Sequence, residues 1–375
     1  MERIRLGMVG GGQGSFIGGV HRIAARIDGL FELVAGSFSS NHERNLASAA
    51  EIGIAPDRVY DTVEAMLCAE KMRKDPIDAV VIATPNHLHF PAAKAALEAG
   101  FHVISDKPLT STLEDAITLK RLADDSGKCF ILTHNYTGYP MVRQMRDMVL
   151  AGEIGELRVI HAEYAQDWLT EPAEHRGAKG AEWRTDPARS GAGGSIGDIG
   201  THAYNLLAFV LGQYPEQLLA DLTSFVPGRA LDDNASILLK FHGGAKGILW
   251  ASQVAVGNEN HFTLRIYGSK GGLEWEQEVP NKLWFTRYGQ PKQLLTRGGN
   301  CATQGNLSSI RIPAGHPEGF LEAFGNIYQA AAQAITGSGD ITVPYPTVTD
   351  GLKGLQFIDA CVRSSSAGAI WTSLD

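Results

Sequence analysis

The chain has 375 residues, 44% of them hydrophobic and 20% charged, with a formal net charge of −8 at pH 7. At roughly 100–200 residues per domain, this length predicts two domains rather than one core. An acidic chain offers no large cationic face to neutralise phosphates, which excludes a general nucleic-acid binder, although local basic residues can still hold one small anion.

Cys68, Cys129, Cys301 and Cys361 are scattered and form no CxxC pair, so neither a zinc site nor a disulfide framework is expected. The apolar run in the opening MERIRLGMVGGG is too short for a secretory leader. No stretch approaches the ~20 apolar residues that span a bilayer. The expectation is a cytoplasmic protein with reduced thiols and no membrane partner.

In chain order, Ile4 to Val9 reads as a strand entering a glycine-rich turn, with helical spacing following through Val20, Ile23, Ala24 and Ile27. Phe31 to Ala35 is a second apolar run. Ala79 to Ala83 (AVVIA) has the continuous, β-branched pattern of a strand buried on both faces. A turn at Thr84-Pro85-Asn86 precedes an alanine-rich helix from Pro91 to Ala99, and Gly100 stands where a helix-closing glycine belongs. His102 to Ser105 and Cys129 to Thr133 predict two more strands around a helix from Leu113 to Ala123. Strands alternating with helices of this length predict an α/β fold, a Rossmann doubly wound parallel sheet, assigned to residues 1–134.

Beyond about Gly155 the pattern changes. Arg158 to Ala165, Ile237 to Phe241, Gly247 to Val254, Phe262 to Tyr267 and Lys282 to Thr286 are runs separated by glycine-rich turns, with one helical pattern at Ala203 to Leu211. They predict a C-terminal α+β domain, residues 135–375, built on a large, open, mostly antiparallel sheet. One face of such a sheet needs a cover, so a homodimer or homotetramer is expected. Residues 290–317 are polar and carry no assignment. Helical patterns return at Phe320 to Ile335 and near Leu352 to Val362, the last able to pack back on the first domain.

The turn Val9-Gly10-Gly11-Gly12-Gln13-Gly14 lies between a strand and a helix, the context that a dinucleotide fingerprint requires. Glycines let the backbone approach a pyrophosphate, and the helix N-terminus supplies amide donors. Gly10 and Gly12 fit the pattern, but Ser15 occupies the third glycine position, leaving Gly18 or Gly19 for the close helix packing. A purely structural glycine turn is the alternative; the strand–turn–helix setting favours the nucleotide. A strand ending in Asp or Glu would favour NAD. Here the run is Ala35-Gly36-Ser37-Phe38-Ser39-Ser40-Asn41, with Arg44 beyond. Ser37, Ser39, Ser40 and Arg44 can hold a 2′-phosphate, which tilts the NAD(P) assignment toward NADP; the alternative is a solvated turn into a helix.

Three segments in order carry a resemblance. They are Ile82-Ala83-Thr84-Pro85-Asn86-His87-Leu88-His89, His102-Val103-Ile104-Ser105-Asp106-Lys107-Pro108-Leu109, and Trp183-Arg184-Thr185-Asp186-Pro187 leading into Gly193-Gly194-Ser195-Ile196-Gly197-Asp198-Ile199-Gly200-Thr201-His202. Together they resemble the Gfo/Idh/MocA family, the glucose–fructose oxidoreductase and inositol dehydrogenase group. The second segment looks like that family's Glu-Lys-Pro signature with Asp106 for Glu, which leaves the positioning of the lysine open. The resemblance implies NAD(P)-dependent hydride transfer to or from a sugar, glycoside or cyclitol.

Such a reaction needs a proton carrier at the reacting oxygen, and histidine suits both directions. Asp198 and His202 are four residues apart, which on a helix shares one face, so the carboxylate can orient the imidazole. Alone, that spacing is common surface polarity, and Lys-Pro after a strand is commonly only a turn. The resemblance makes His202 the acid/base, Asp198 its partner and Lys107 the third catalytic residue, whose ammonium can stabilise alkoxide charge. Pro85, Asn86 and His89 follow a strand and are assigned, with Thr84, Asp106 and Asn135, to the cofactor. The resemblance puts Tyr136 where the family's substrate pocket begins, and Trp183 and Arg184, assigned with the substrate, in a segment that reaches toward cofactor or substrate. His316 can hydrogen-bond a polyol or simply mark a loop-to-helix boundary. The other histidines, among them His42, His161, His242 and His261, have no constellation around them, and no metal is demanded. Two alternatives stay open: an enzyme that recycles a tightly held nicotinamide within one turnover, and a nucleotide sensor without turnover.

Overall fold

The computed structural model describes residues 2–177, 179–338 and 344–374. The chain divides into two compact units, Met1–Gly138 with Phe320–Leu352, and Tyr139–Gly319 with Lys353–Asp375. Residues 320–352 thus return to the first unit, where a single cut near residue 134 had been expected. The helix Phe320–Thr336 explains this. Its Phe324, Ile327, Tyr328 and Ala331 are buried in the same core as Ile4, Leu6, Met8, Val20 and Ala24 of the first strand and helix. The Tyr328 hydroxyl meets His21 Nδ1 at 2.8 Å, and its ring meets Phe31 edge-on at 5.3 Å.

The first unit is built on strands β1 (Ile4–Gly10), β2 (Phe31–Ser37), β3 (Ala79–Ala83), β4 (His102–Ser105) and β5 (Phe130–Leu132). They form one parallel sheet in the order β2-β1-β3-β4-β5. A single parallel bridge from Gly36 to Val59 adds a vestigial neighbour outside β2. Counting that bridge as a strand gives the 3-2-1-4-5-6 order of a dinucleotide-binding sheet. The crossovers are α1 (Phe16–Ile27), α2 (His42–Ile52), α3 (Val63–Lys71), α4 (His89–Glu98) and α5 (Leu113–Ser126). All five β3 residues are buried, as a strand covered on both faces requires. The chain turns to opposite sides of the sheet after β1 and β3, so a crevice opens at their carboxyl ends.

The second unit carries β6 (Leu157–Ala165), β7 (Gln217–Thr223), β8 (Asn234–Lys240), β9 (Lys246–Ser252), β10 (His261–Gly268), β11 (Gly271–Glu276), β12 (Lys282–Arg287), β13 (Gln293–Thr296) and β14 (Thr372–Ser373). Their order is β13-β12-β11-β10-β6-β9-β8-β7-β14, antiparallel except at the β6–β9 pair. Burial alternates along the strands. Ala235, Ile237 and Leu239 of β8 are buried, whereas Ser236 and Leu238 are exposed. The buried face packs under α6 (Pro140–Leu150) and the helix Thr201–Leu211. The unassigned stretch 290–317 contains the edge strand β13 and is organised by a polar anchor. Arg297, buried to 2% exposure, donates to Asn281 Oδ1, Ile312 O and Pro313 O at 2.9 Å each.

The glycine turn shows which candidate closes the helix onto the sheet. A Cβ on Gly18 would lie 2.4 Å from Gly11 Cα, whereas one on Gly19 would meet nothing nearer than 4.0 Å. Ser15, at the third glycine position, caps α1 instead, its Oγ accepting from Gly18 N at 3.1 Å. Gly18→Ala is therefore expected to lower the melting temperature, by an overpacking cost of about 1–3 kcal/mol. Gly19→Ala should leave it unchanged or raise it, because a helical glycine gives way to a better helix former. Thermal melts of the two variants check this ordering.

Candidate active site

In the first unit the segments that follow β1, β2, β3, β4 and β5 gather at one edge of the sheet. Gly10, Gly11 and Gly14 adopt positive φ of 73°, 69° and 79°. A Cβ on Gly10 would sit 2.8 Å from Ala83 O, and one on Gly12 2.6 Å from Ser48 Oγ, so both positions are closed to larger residues. Gln13 is exposed; its backbone N–H donates to Ser48 Oγ at 3.0 Å and its amide to Glu51 at 3.0 Å. After β2, Ser37 is buried, Ser39 Oγ accepts from Asn41 N at 3.2 Å, and Ser40 is exposed. Asn41 caps α2 through Arg44 N at 2.9 Å, leaving the Arg44 side chain exposed on the first turn.

After β3, Thr84 Oγ1 is buried without a hydrogen-bond partner, as is Asn135 Nδ2 after β5. Buried polar atoms are normally paired. Two such atoms beside a glycine cradle at the carboxyl edge fit a polar ligand of dinucleotide type. Pro85 is half-buried and Asn86 buried. His89 departs from expectation. It is fully buried, with Nδ1 2.6 Å from Pro108 O and Nε2 2.9 Å from Thr84 O. Both ring nitrogens face backbone carbonyls of the β3 and β4 loops, and burial pushes the imidazole down toward its neutral form, whose single N–H donates to one of them.

Asp106 resolves the question raised by its short side chain. Its Oδ1 accepts from Lys107 N at 2.9 Å and from Thr133 Oγ1 at 3.1 Å. The carboxylate thus fixes the lysine's backbone. Lys107 is half-buried. Burial, reinforced by the Lys107 charge, pushes the nearby His134 imidazole down to about 3. Tyr136 is buried, its ring edge-on to Phe320 at 6.5 Å.

In the second unit Asp198 lies in a widened π-turn, Ile196–Gly200, that runs directly into the helix Thr201–Leu211 carrying His202. Turns of this kind are frequent at functional sites. The widened turn comes from the run of glycines and from Asp232, which the sequence reading missed. Its carboxylate accepts from Gly194 N at 2.7 Å, Ser195 Oγ at 2.7 Å and Ile196 N at 2.9 Å. Burial pushes that carboxyl up from its ordinary range, and the three donors pull it back toward the charged form. Asp198 Oδ2 lies 2.9 Å from Gln253 Nε2 and 3.2 Å from Arg184 Nε. Gln253, also missed, follows β9 and is buried. Arg184, the ion-pair partner of Asp198, lies over the Trp183 ring at 4.3 Å. His202 is 8% exposed, its ring 6.3 Å from Tyr164, which stacks on Phe262 at 4.5 Å. No single-chain motif marks Asp232 or Gln253, because both arrive from strands far along the sequence.

His316 is exposed, and its backbone carbonyl accepts from Arg297. That contact belongs to the loop anchored by Arg297.

The first unit's carboxyl edge can therefore hold a dinucleotide. The second unit, taken by itself, carries a held carboxylate, Asp198, and a nearly buried imidazole, His202. Residues 4–136 match the model of the oxidoreductase family with an NAD-binding Rossmann fold, and residues 142–274 match the GFO/IDH/MocA C-terminal domain. The chain is 37% identical to the oxidoreductase YfiI of Bacillus subtilis, over 98% of this chain and 96% of that protein. An oxidoreductase solved from Sinorhizobium meliloti is 53% identical, with a TM-score of 0.91 and 100% of both chains covered. An inositol dehydrogenase homologue from Azotobacter vinelandii, solved with NADH and myo-inositol, is 37% identical with a TM-score of 0.92, covering 99% of this chain and 98% of its own. The sequence motifs, the two-sheet architecture and these matches over nearly the whole length lead to one assignment: the chain belongs to the Gfo/Idh/MocA family of oxidoreductases, with an NAD-binding domain at residues 4–136.

Proposed function

We propose that the protein is an NAD(P)-dependent dehydrogenase acting on a secondary alcohol, or the corresponding ketone, of a sugar, glycoside or cyclitol. The observation that carries this reading is Asp198, held by Gln253 and Arg184 on the turn that delivers His202. A carboxylate held by a hydrogen bond from Gln253 and an ion pair with Arg184 is a fixed negative charge on the turn that leads to a proton carrier, as acid–base chemistry at a hydroxyl requires. The nicotinamide, when bound, supplies the hydride acceptor or donor. Gly10, Gly12, Gly14, Ser15, Thr84, Asn86 and Asn135 would hold the dinucleotide. His202 takes the hydroxyl proton in oxidation and returns it in reduction. Lys107, its backbone tied by Asp106, offers the ammonium that stabilises charge on the reacting oxygen. The relative solved with myo-inositol supports a polyol of this class.

His202→Ala is expected to lower kcat by about 10²–10⁴-fold while cofactor affinity stays within twofold. Steady-state kinetics across pH, with calorimetry of cofactor binding, check this. An active variant with an unaltered pH profile would remove His202 from the acid–base role. Net release of reduced cofactor from one polyol substrate counts against an enzyme that recycles a trapped nicotinamide, and supports the dehydrogenase.

For the cofactor, we favour NADP over NAD. No carboxylate stands between Ser37 and His42, and Arg44 is exposed on the first turn of α2. Side-by-side calorimetry should show NADPH binding at least fivefold tighter than NADH, with the difference lost in Arg44→Ala. Tighter NADH binding, which the NADH complex of the Azotobacter relative makes a fair competitor, overturns this preference.

Association through the open sheet forms part of the same reading. One cross-strand row on its outer face runs Leu238, Ile248, His161, Arg265, Glu274, Trp284, Leu294. Within it Leu238, Ile248, Trp284 and Leu294 are 44%, 43%, 41% and 40% exposed. Exposed large apolar side chains paired across strands, Leu238 with Ile248 and Trp284 with Leu294, mark an association surface. Light scattering should give a dimer or tetramer for the native chain and a smaller species for Ile248→Glu. A native monomer would contradict the reading.

A further inference from the structure

On the outer face of the nine-stranded sheet, the fold joins side chains that are far apart in sequence. His261 opens β10, Glu276 closes β11, and Glu278 follows two residues later. His261 Nδ1 is 3.9 Å from Glu276 Oε1 and 3.9 Å from Glu278 Oε2. Ligand-capable atoms of the three residues all lie within 4.8 Å of one another. On its other side the imidazole Nε2 faces Glu163 Oε1 at 3.7 Å, and Glu163 Oε2 accepts from Arg265 at 3.1 Å.

A second observation points into the same spot. Thr263 is paired with Glu163 on β6 and with Glu276 on β11. It is two residues from His261 and therefore on the same face. Its side chain is about nine-tenths buried beneath these neighbours, at 9% exposure, and Oγ1 is without a hydrogen-bond partner.

We propose that His261, Glu276 and Glu278 form a binding site for a divalent cation, with zinc or manganese the best chemical match. One imidazole nitrogen with carboxylate oxygens suits these ions, whereas magnesium and calcium prefer oxygen alone. Two ligands about 2.1 Å from one ion lie about 3.4 Å apart in a tetrahedral site, so each glutamate must close on His261 Nδ1 by about half an ångström, and no pair of ligand atoms by more than about 1.4 Å. Glu163 stands where an outer carboxylate belongs. At 3.7 Å its charge lies on the Nε2 side of the ring and favours the tautomer protonated there, which leaves the Nδ1 lone pair for the metal, and Arg265 holds Glu163 in turn. The Thr263 hydroxyl, level with both carboxylates, can bond a metal-bound water or a ligating oxygen. His261, which lacks neighbours in the sequence, gains them through strand pairing. All ligands belong to one chain, so the site does not depend on association through this face, and it stands apart from the hydride-transfer reading.

The test is calorimetric titration of chelator-treated full-length protein with zinc chloride and, separately, manganese chloride. About one ion per chain is expected for at least one of the two metals. His261→Ala and Glu276→Gln should each weaken binding at least tenfold, and His242→Ala, an exposed histidine of the same unit, should not. Circular dichroism melts confirm that these surface variants remain folded. No binding of either ion at high micromolar concentration, or binding undiminished in folded His261→Ala, overturns the site.

Discussion

The carboxylate of Asp232 takes three hydrogen bonds from a turn that has no side chain of its own at Gly194. A Cβ at that position would lie 2.0 Å from Asp232 O, so the turn can approach only as glycine. This closeness is what sets the widened turn at Ile196–Gly200 and, through it, the places of Asp198 and His202. A buried carboxylate is costly unless its lone pairs are met. Three donors supply that compensation, and the geometry they enforce frames the turn that carries Asp198.

The first unit solves a comparable problem with bare backbone. Gly18 rests on Gly11, and Gly10 rests on Ala83, so the helix N-terminus and two strand ends converge where a phosphate-bearing ligand is stabilised by amide donors. Around this edge the buried histidines are kept neutral. Burial pushes His21 down to about 4, and His134 lies lower still at about 3. Neither adds positive charge to this edge, where Lys107 already stands near His134.

The nine-stranded sheet works differently on its two faces. The inner face is apolar and covered by helices of its own unit; the outer face alternates apolar pairs such as Leu238 and Ile248 with the charged group around His261. Both properties follow from one register. A slip of one residue in β10 would send His261 and Thr263 inward and Phe262 and Leu264 outward.

Several features were legible in the amino-acid sequence because they are local. The run AVVIA gave β3 at its observed limits, and His102 to Ser105 gave β4, since an apolar β-branched stretch has few other stable uses. The glycine turn, Asp106-Lys107-Pro108 and the Asp198–His202 spacing pointed to the chemistry because those residue types sit close together along the chain. What the tertiary structure decided is non-local. It chose Gly18 over Gly19, returned the helix Phe320–Thr336 to the first unit, and set both ring nitrogens of His89 against backbone carbonyls of two loops. It also brought in Asp232, Gln253 and the Glu276 neighbour of His261. Side-chain periodicity records which face of an element is buried, but not which distant strand lies beside it. Partners supplied by strand pairing therefore leave no mark on the local sequence.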